Sequence, residues 1–60
     1  MNKLLTIKEV SEVLRINKDS TYNLIHAEKL KAVKSVQNGR MLVRESDLDD
    51  FINNLEKIHN

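Results

Sequence analysis

TIKEVSEVLRINKDSTYNLI, residues Thr6 to Ile25, reads as two short amphipathic helices joined by a turn too tight to leave them parallel. It opens on a capping box: the Thr6 hydroxyl can accept from the Glu9 amide while the Glu9 carboxylate reaches back to the Thr6 amide. Ile7, Val10, Val13 and Leu14 then share one face at helical spacing, and the helix should end near Arg15. Asn17 can cap a second helix through its side-chain oxygen. Thr21, Leu24 and Ile25 form the inner face of that helix, and Leu30 follows as an anchor after it ends. Only Arg15 to Asn17 separate the two helices, which forces a sharp crossing. That is a helix-turn-helix pattern.

From Leu30 the helical period gives way to alternation. Lys31–Val36 and Arg40–Arg44 flank Asn38-Gly39, the strongest short-range hairpin signal, because a type I′ turn needs positive φ at both central residues. A two-residue Asn-Gly loop pairs Val36 with Met41 and Lys34 with Val43. A four-residue loop or a bulge gives another register, and the sequence leaves both open. A third helix should open at Ser46 or a neighbour, with Leu48, Phe51, Ile52 and Leu55 repeating at i, i+3, i+4 and i+7 as an inward stripe. Asp47, Asp49 and Asp50 crowd its start, where the helix dipole favours negative charge. Lys57 to Asn60 are expected to fray. The expected architecture is α+β, a small winged helix-turn-helix in the order helix, helix, two-stranded wing, helix, with residues 1–60 forming one domain.

Sixty residues suffice for one thin core, since chains of this size bury only about 60% of the surface their unfolded state exposes. There is no cysteine, hence no disulfide and no thiolate metal site. His26 and His59 lack partners at zinc-ligand spacing. Ser11, Ser20, Ser35 and Ser46 lack the context of an activated nucleophile, and so short a chain has little room for an enclosed catalytic pocket. Neither catalysis, a metal nor a cofactor is expected. No apolar run approaches the roughly 20 residues of a membrane span, and the N-terminus lacks a signal-peptide core. The chain is therefore expected to be cytoplasmic, with no membrane partner.

The formal net charge of +1 hides a segregation: nine Lys and Arg against four acids up to Arg44, then five acids against one lysine from Glu45 onward. Such asymmetry implies a basic face for a polyanion and an acidic back. In a chain this short, a helix-turn-helix with a basic wing points to double-stranded DNA. On the second helix Asp19, Asn23 and His26 lie opposite the core, with Lys18 and Tyr22 on the flank. Asn23 suits a bidentate contact to adenine and Lys18 a guanine or a phosphate, while Asp19 either accepts from a cytosine amino group or is simply repelled from phosphate. Arg40 can enter a narrow minor groove, where the potential is most negative. Lys31, Lys34 and Arg44 along the wing strands look like phosphate contacts. Ser20 and Asn38 complete the expected contact set, and Tyr22 either packs half-buried or bonds a phosphate. The plain alternative is that these residues form an ordinary solvated face.

Leu5-Thr6-Ile7-Lys8-Glu9-Val10, then Asn17 to Ile25 with its Tyr22, then Gly39-Arg40-Met41-Leu42-Val43, then Asp47-Leu48 and Phe51-Ile52 follow one another at a recognisable spacing. In that order they resemble the excisionase-type small DNA-binding proteins, relatives of the DNA-binding domain of the mercury-resistance regulators, over about residues 4 to 55. Three features depart from that pattern. Arg15 stands where a turn glycine is common, Asn17 caps in place of serine, and the wing is longer by Gln37-Asn38 with Met41 in place of an aromatic. The resemblance implies a DNA-binding accessory factor, an excisionase or recombination directionality factor. Such a protein binds and bends DNA near the end of a mobile element, so that an integrase runs recombination towards excision. Excisionase-type proteins bind beside neighbouring copies of themselves, and Leu55 and Ile58 are apolar residues left over for a protein contact. The alternative is a small transcriptional regulator of phage or mobile-element genes, because fold does not fix role. A protein-interaction module is a third reading, and the basic front argues against it.

Overall fold

Thr6 ends one element and begins the next. It is the last residue of a short strand, β1 (Leu4–Thr6), and the N-cap of the helix that follows, α1 (Ile7–Leu14). The structure, a computed structural model, describes residues 3–58, with side chains up to Leu55. Expectations placed on Ile58, His59 and the fraying of the last residues fall outside those side chains. The capping box forms as the spacing requires, with Thr6 Oγ1 accepting from the Glu9 amide at 3.1 Å and Glu9 Oε1 from the Thr6 amide at 2.9 Å.

A single left-handed residue closes α1. Arg15 sits at φ 58°, which lets its own amide return to the Glu12 carbonyl and the Ile16 amide to the Ser11 carbonyl. Asn17 then caps α2 (Lys18–His26), its Oδ1 accepting from the Ser20 amide at 2.8 Å. The same closing motif ends α2. Glu28 takes φ 60°, and the Glu28 and Lys29 amides donate to the Ile25 and Leu24 carbonyls.

The sheet contains the expected two-stranded wing and extends it by a third strand. It has three antiparallel strands in the order β1-β3-β2, where β2 is Val33–Lys34 and β3 is Met41–Arg44. Leu4, Leu5 and Thr6 pair with Arg44, Val43 and Leu42, and the Glu45 amide donates to the Lys3 carbonyl beyond them. Without β1, the inner edge of β3 would present unpaired backbone groups beside the core, which is costly.

The wing register is not that of a two-residue turn. Lys34 pairs with Met41 and Val33 with Leu42, so the pairing of Val36 with Met41 and of Lys34 with Val43 does not form. The loop is Val36 to Gly39, closed by Ser35 N to Arg40 O at 2.8 Å and Gly39 N to Ser35 O at 2.9 Å. Gly39 supplies the positive φ, at 70°. The physical reason lies in the core: the shorter loop would set Lys34 directly opposite Val43, which is fully buried. The longer loop moves Lys34 to the rim and brings Ala32, which packs on the core, level with Val43.

The last element, α3 (Glu45–Ile58), follows β3 without a connecting residue. Its inward stripe holds for Leu48, Phe51 and Ile52, then ends, since Leu55 is exposed. The core gathers Leu5, Ile7, Val10, Leu30, Val43 and Leu48 from β1, α1, β3, α3 and the segment after α2. One expected core residue is displaced. Val13 is 56% exposed and Ser11 is buried in its stead, because α2 crosses α1 on the Ser11 side. There the Ser11 and Thr21 hydroxyls meet at 2.7 Å, a small polar pair between two closely packed helices.

Candidate nucleic-acid interface

Burial of Thr21, Leu24 and Ile25 against the core fixes which way α2 faces. Its outward stripe is Asp19, Asn23 and His26, all exposed, as their spacing predicts. Lys18 and Tyr22, four residues apart, turn towards one flank. Ser20 is half-buried and its amide is taken by the cap, so it stands at the margin of the outward stripe.

That flank opens on a concavity of about 360 Å³ between the two helix starts and the wing. Lys18 and Tyr22 line it from α2, Arg40 and Met41 from the wing, and Thr6 and Lys8 from the start of α1. Three cationic side chains from three separate elements thus surround one hollow. The Thr6 hydroxyl is held by the Glu9 amide, and the Glu9 carboxylate is turned back on the Thr6 amide. The Thr6 backbone hydrogen bond, and after it the Thr6 hydroxyl, hold the Glu9 carboxyl below its ordinary value. The partial positive charge of the α1 start is already met by the Glu9 carboxylate, so the cationic lining comes from Lys8, Lys18 and Arg40.

The wing tip is internally braced. Asn38 Oδ1 accepts from the Arg40 amide at 3.0 Å, and the Gln37 amide donates to Ser35 Oγ at 3.3 Å. Asn38 therefore spends its oxygen on shaping the loop and leaves its amide group for any ligand. Arg40 is exposed at the junction of loop and strand.

The remaining sequence candidates are not gathered into this hollow. Lys34 is exposed on β2. Lys31 and Arg44 line a different groove, between the segment after α2, β3 and α3, where Glu28 and Asp47 stand beside them. Those two lysine and arginine side chains thus sit in a field of mixed sign. Lys8, in contrast, was missed by sequence reasoning. Its signal was available only in part: the capping box puts Lys8 at the exposed second position of α1, but nothing local reveals that the wing folds back towards it.

Among the described residues no helix is long and apolar enough to cross a membrane, and no cluster of three His, Cys, Asp or Glu could hold a metal ion. No curated protein and no solved structure matches the chain significantly. A family profile described as a helix-turn-helix domain does match, over residues 4–56, which takes in every strand and nearly all of α3. With its outward-facing second helix and three-stranded sheet, the chain belongs to that helix-turn-helix domain family, whose members bind double-stranded DNA.

Proposed function

We propose that α2 lies in the major groove, the wing enters the neighbouring minor groove, and the backbone phosphate between them passes through the hollow ringed by Lys8, Lys18 and Arg40. The convergence of those three cations from α1, α2 and the wing is the observation that carries this reading. Phosphate neutralisation supplies most of the affinity of such a protein, and base edges supply the sequence preference. Asp19, Asn23 and His26 are the base-reading candidates. Lys34 and the Asn38 amide group lie along the same approach, while Lys31 and Arg44 are flanking phosphate contacts tempered by Glu28 and Asp47.

In the cell this domain acts as an excisionase-type accessory factor, bending DNA near the end of a mobile element so that an integrase favours excision. The resemblance in order and spacing of its motifs supports that role. The role and the binding mode are tested separately. A gel-shift titration over salt should show affinity for duplex DNA falling steeply as salt rises; salt-independent binding, or none, removes the nucleic-acid reading. Recombination with a candidate integrase should then show excision stimulated and integration not. Promoter repression without any effect on recombination would replace the excisionase role with that of a transcriptional regulator.

A further inference from the structure

Val36 is fully exposed, at 104% of its reference surface, at the tip of the wing. A lone exposed valine is common on protein surfaces, but the setting of this one is not. The loop that carries it is held by four hydrogen bonds, Ser35 N to Arg40 O, Gly39 N to Ser35 O, Gln37 N to Ser35 Oγ and Arg40 N to Asn38 Oδ1. A loop so braced keeps the apolar side chain outward and does not let it fold back on Met41 or Leu42. The residues beside it, Gln37, Asn38 and Arg40, are exposed and carry donors. From Lys29 to Arg44 the chain holds five cations and no acid.

Those surroundings choose the occupant. Among the described residues the other exposed large apolar side chains, Leu4, Val13, Tyr22 and Leu55, belong to β1, α1, α2 and α3, so Val36 belongs to no apolar patch of the wing that a protein would cover. A minor groove over A·T pairs offers what the tip needs: acceptors on the floor for Gln37 and Asn38, and apolar sugar walls for the valine. Apolar side chains set among such donors are known as wedges that part a base step and kink the duplex.

We propose that Val36 is the insertion residue of the wing. It enters the minor groove next to the phosphate that Arg40 holds, packs on sugar walls and base edges, and opens a base step so that the duplex bends. This inference rests on the DNA-binding reading above and goes beyond it by assigning the bend to one side chain.

The test begins with a duplex selected from a random-sequence pool by the wild-type protein. The duplex is labelled at both ends with a donor–acceptor dye pair and titrated with wild type, Val36→Ser and Val36→Leu. Wild type should shorten the end-to-end distance. Val36→Ser should bind within about tenfold of wild type, since burying the valine methyls is worth about that much and the unstacking they drove is no longer needed. The Val36→Ser complex should nevertheless leave the duplex nearly straight, and Val36→Leu should restore the bend. A bend unchanged in Val36→Ser, or wild-type binding without a bend, overturns the inference while leaving DNA binding intact. A Val36→Ser defect seen only when two copies share one duplex also overturns it, in favour of a protein contact. If the pool yields no duplex at all, the DNA-binding reading itself fails. Because Val36 is fully exposed, both variants should keep the wild-type circular dichroism spectrum.

Discussion

Ser11 Oγ and Thr21 Oγ1 lie 2.7 Å apart in the only buried polar contact between α1 and α2 among the described residues, and they set how the two helices cross. Ser11 also reaches the Ile7 carbonyl at 2.7 Å, and Thr21 the Asn17 carbonyl at 3.3 Å. Two hydroxyl protons serve these three contacts: Ser11 donates to Ile7, and Thr21 donates to Ser11 across the shorter contact, leaving its 3.3 Å approach to the Asn17 carbonyl without a proton. No buried side-chain donor or acceptor among the described residues is left without a partner.

Removing either hydroxyl breaks that inter-helix bond. Ser11→Ala and Thr21→Val should each lower stability by about 1 kcal/mol, the usual net worth of such a bond. Each remaining hydroxyl keeps a local carbonyl, which limits the loss. The double variant should therefore lose less than the two single losses added together, a coupling of about 0.5–1 kcal/mol in a double-mutant cycle. Urea unfolding midpoints measure this, and strictly additive losses would mean that the pair does not act across the helix crossing.

Arg15 and Glu28 both hold left-handed backbone, at φ 58° and 60°, where a glycine would rest without steric cost. Each replacement, Arg15→Gly and Glu28→Gly, should raise stability by up to about 1 kcal/mol, the left-handed penalty less the extra entropy glycine loses on folding. Gly39→Ala should do the opposite. At φ 70° an alanine is strained, and since nothing lies within 4 Å of its Cβ the loss is conformational alone, about 1 kcal/mol. Thermal melts of the three variants should therefore move in two opposite directions.

These positions also show what could be read in advance. The caps at Thr6 and Asn17 were legible because capping joins residues only three apart, and the outward stripe Asp19, Asn23, His26 follows from helical spacing. Arg15 was visible as a departure from the common turn glycine, whereas Glu28 carries no local sign of left-handed backbone. β1 escaped notice because three residues are too few for a period to appear, and its pairing with β3 is wholly tertiary. Val13 and Ser11 could not be ranked from α1 alone, since which edge of the stripe is buried depends on where α2 crosses. The wing register depended on Lys34 avoiding the place opposite Val43, a demand made by the core and not by Asn38-Gly39. Lys8 belongs to the same class: its approach to Lys18 and Arg40 exists only once the wing is in place.

Glu9 adds a pH dependence of known sign. The Thr6 amide favours its charged form and lowers its pKa from an ordinary 4.5. The stabilisation is thus fully present above that ordinary value and is lost as pH falls through the depressed one. The carboxylate is fully exposed, so the effect should be small. Glu9→Gln keeps an oxygen that can accept from the Thr6 amide but cannot titrate. Melting temperatures followed from neutral pH into the acid range should fall more for wild type than for Glu9→Gln. Parallel curves would mean that the capping box does not depend on the Glu9 charge.

Lys8, Arg40 and Asn23 separate phosphate contact from base reading. If a phosphate occupies the hollow, Lys8→Ala and Arg40→Ala should each weaken binding to most duplexes and reduce the slope of log affinity against log salt by about one. Both should do so with little change in sequence preference. Asn23→Ala removes no charge, so its salt slope should stay as in wild type. It should instead relax preference at one base pair, a loss of about 1–3 kcal/mol of discrimination there. Competition gel shifts over salt, with single-position variants of a selected duplex, read both quantities at once. Wild-type behaviour in Lys8→Ala and Arg40→Ala would place the DNA backbone outside the hollow. An unaltered preference at every position in Asn23→Ala would remove α2 from the major groove.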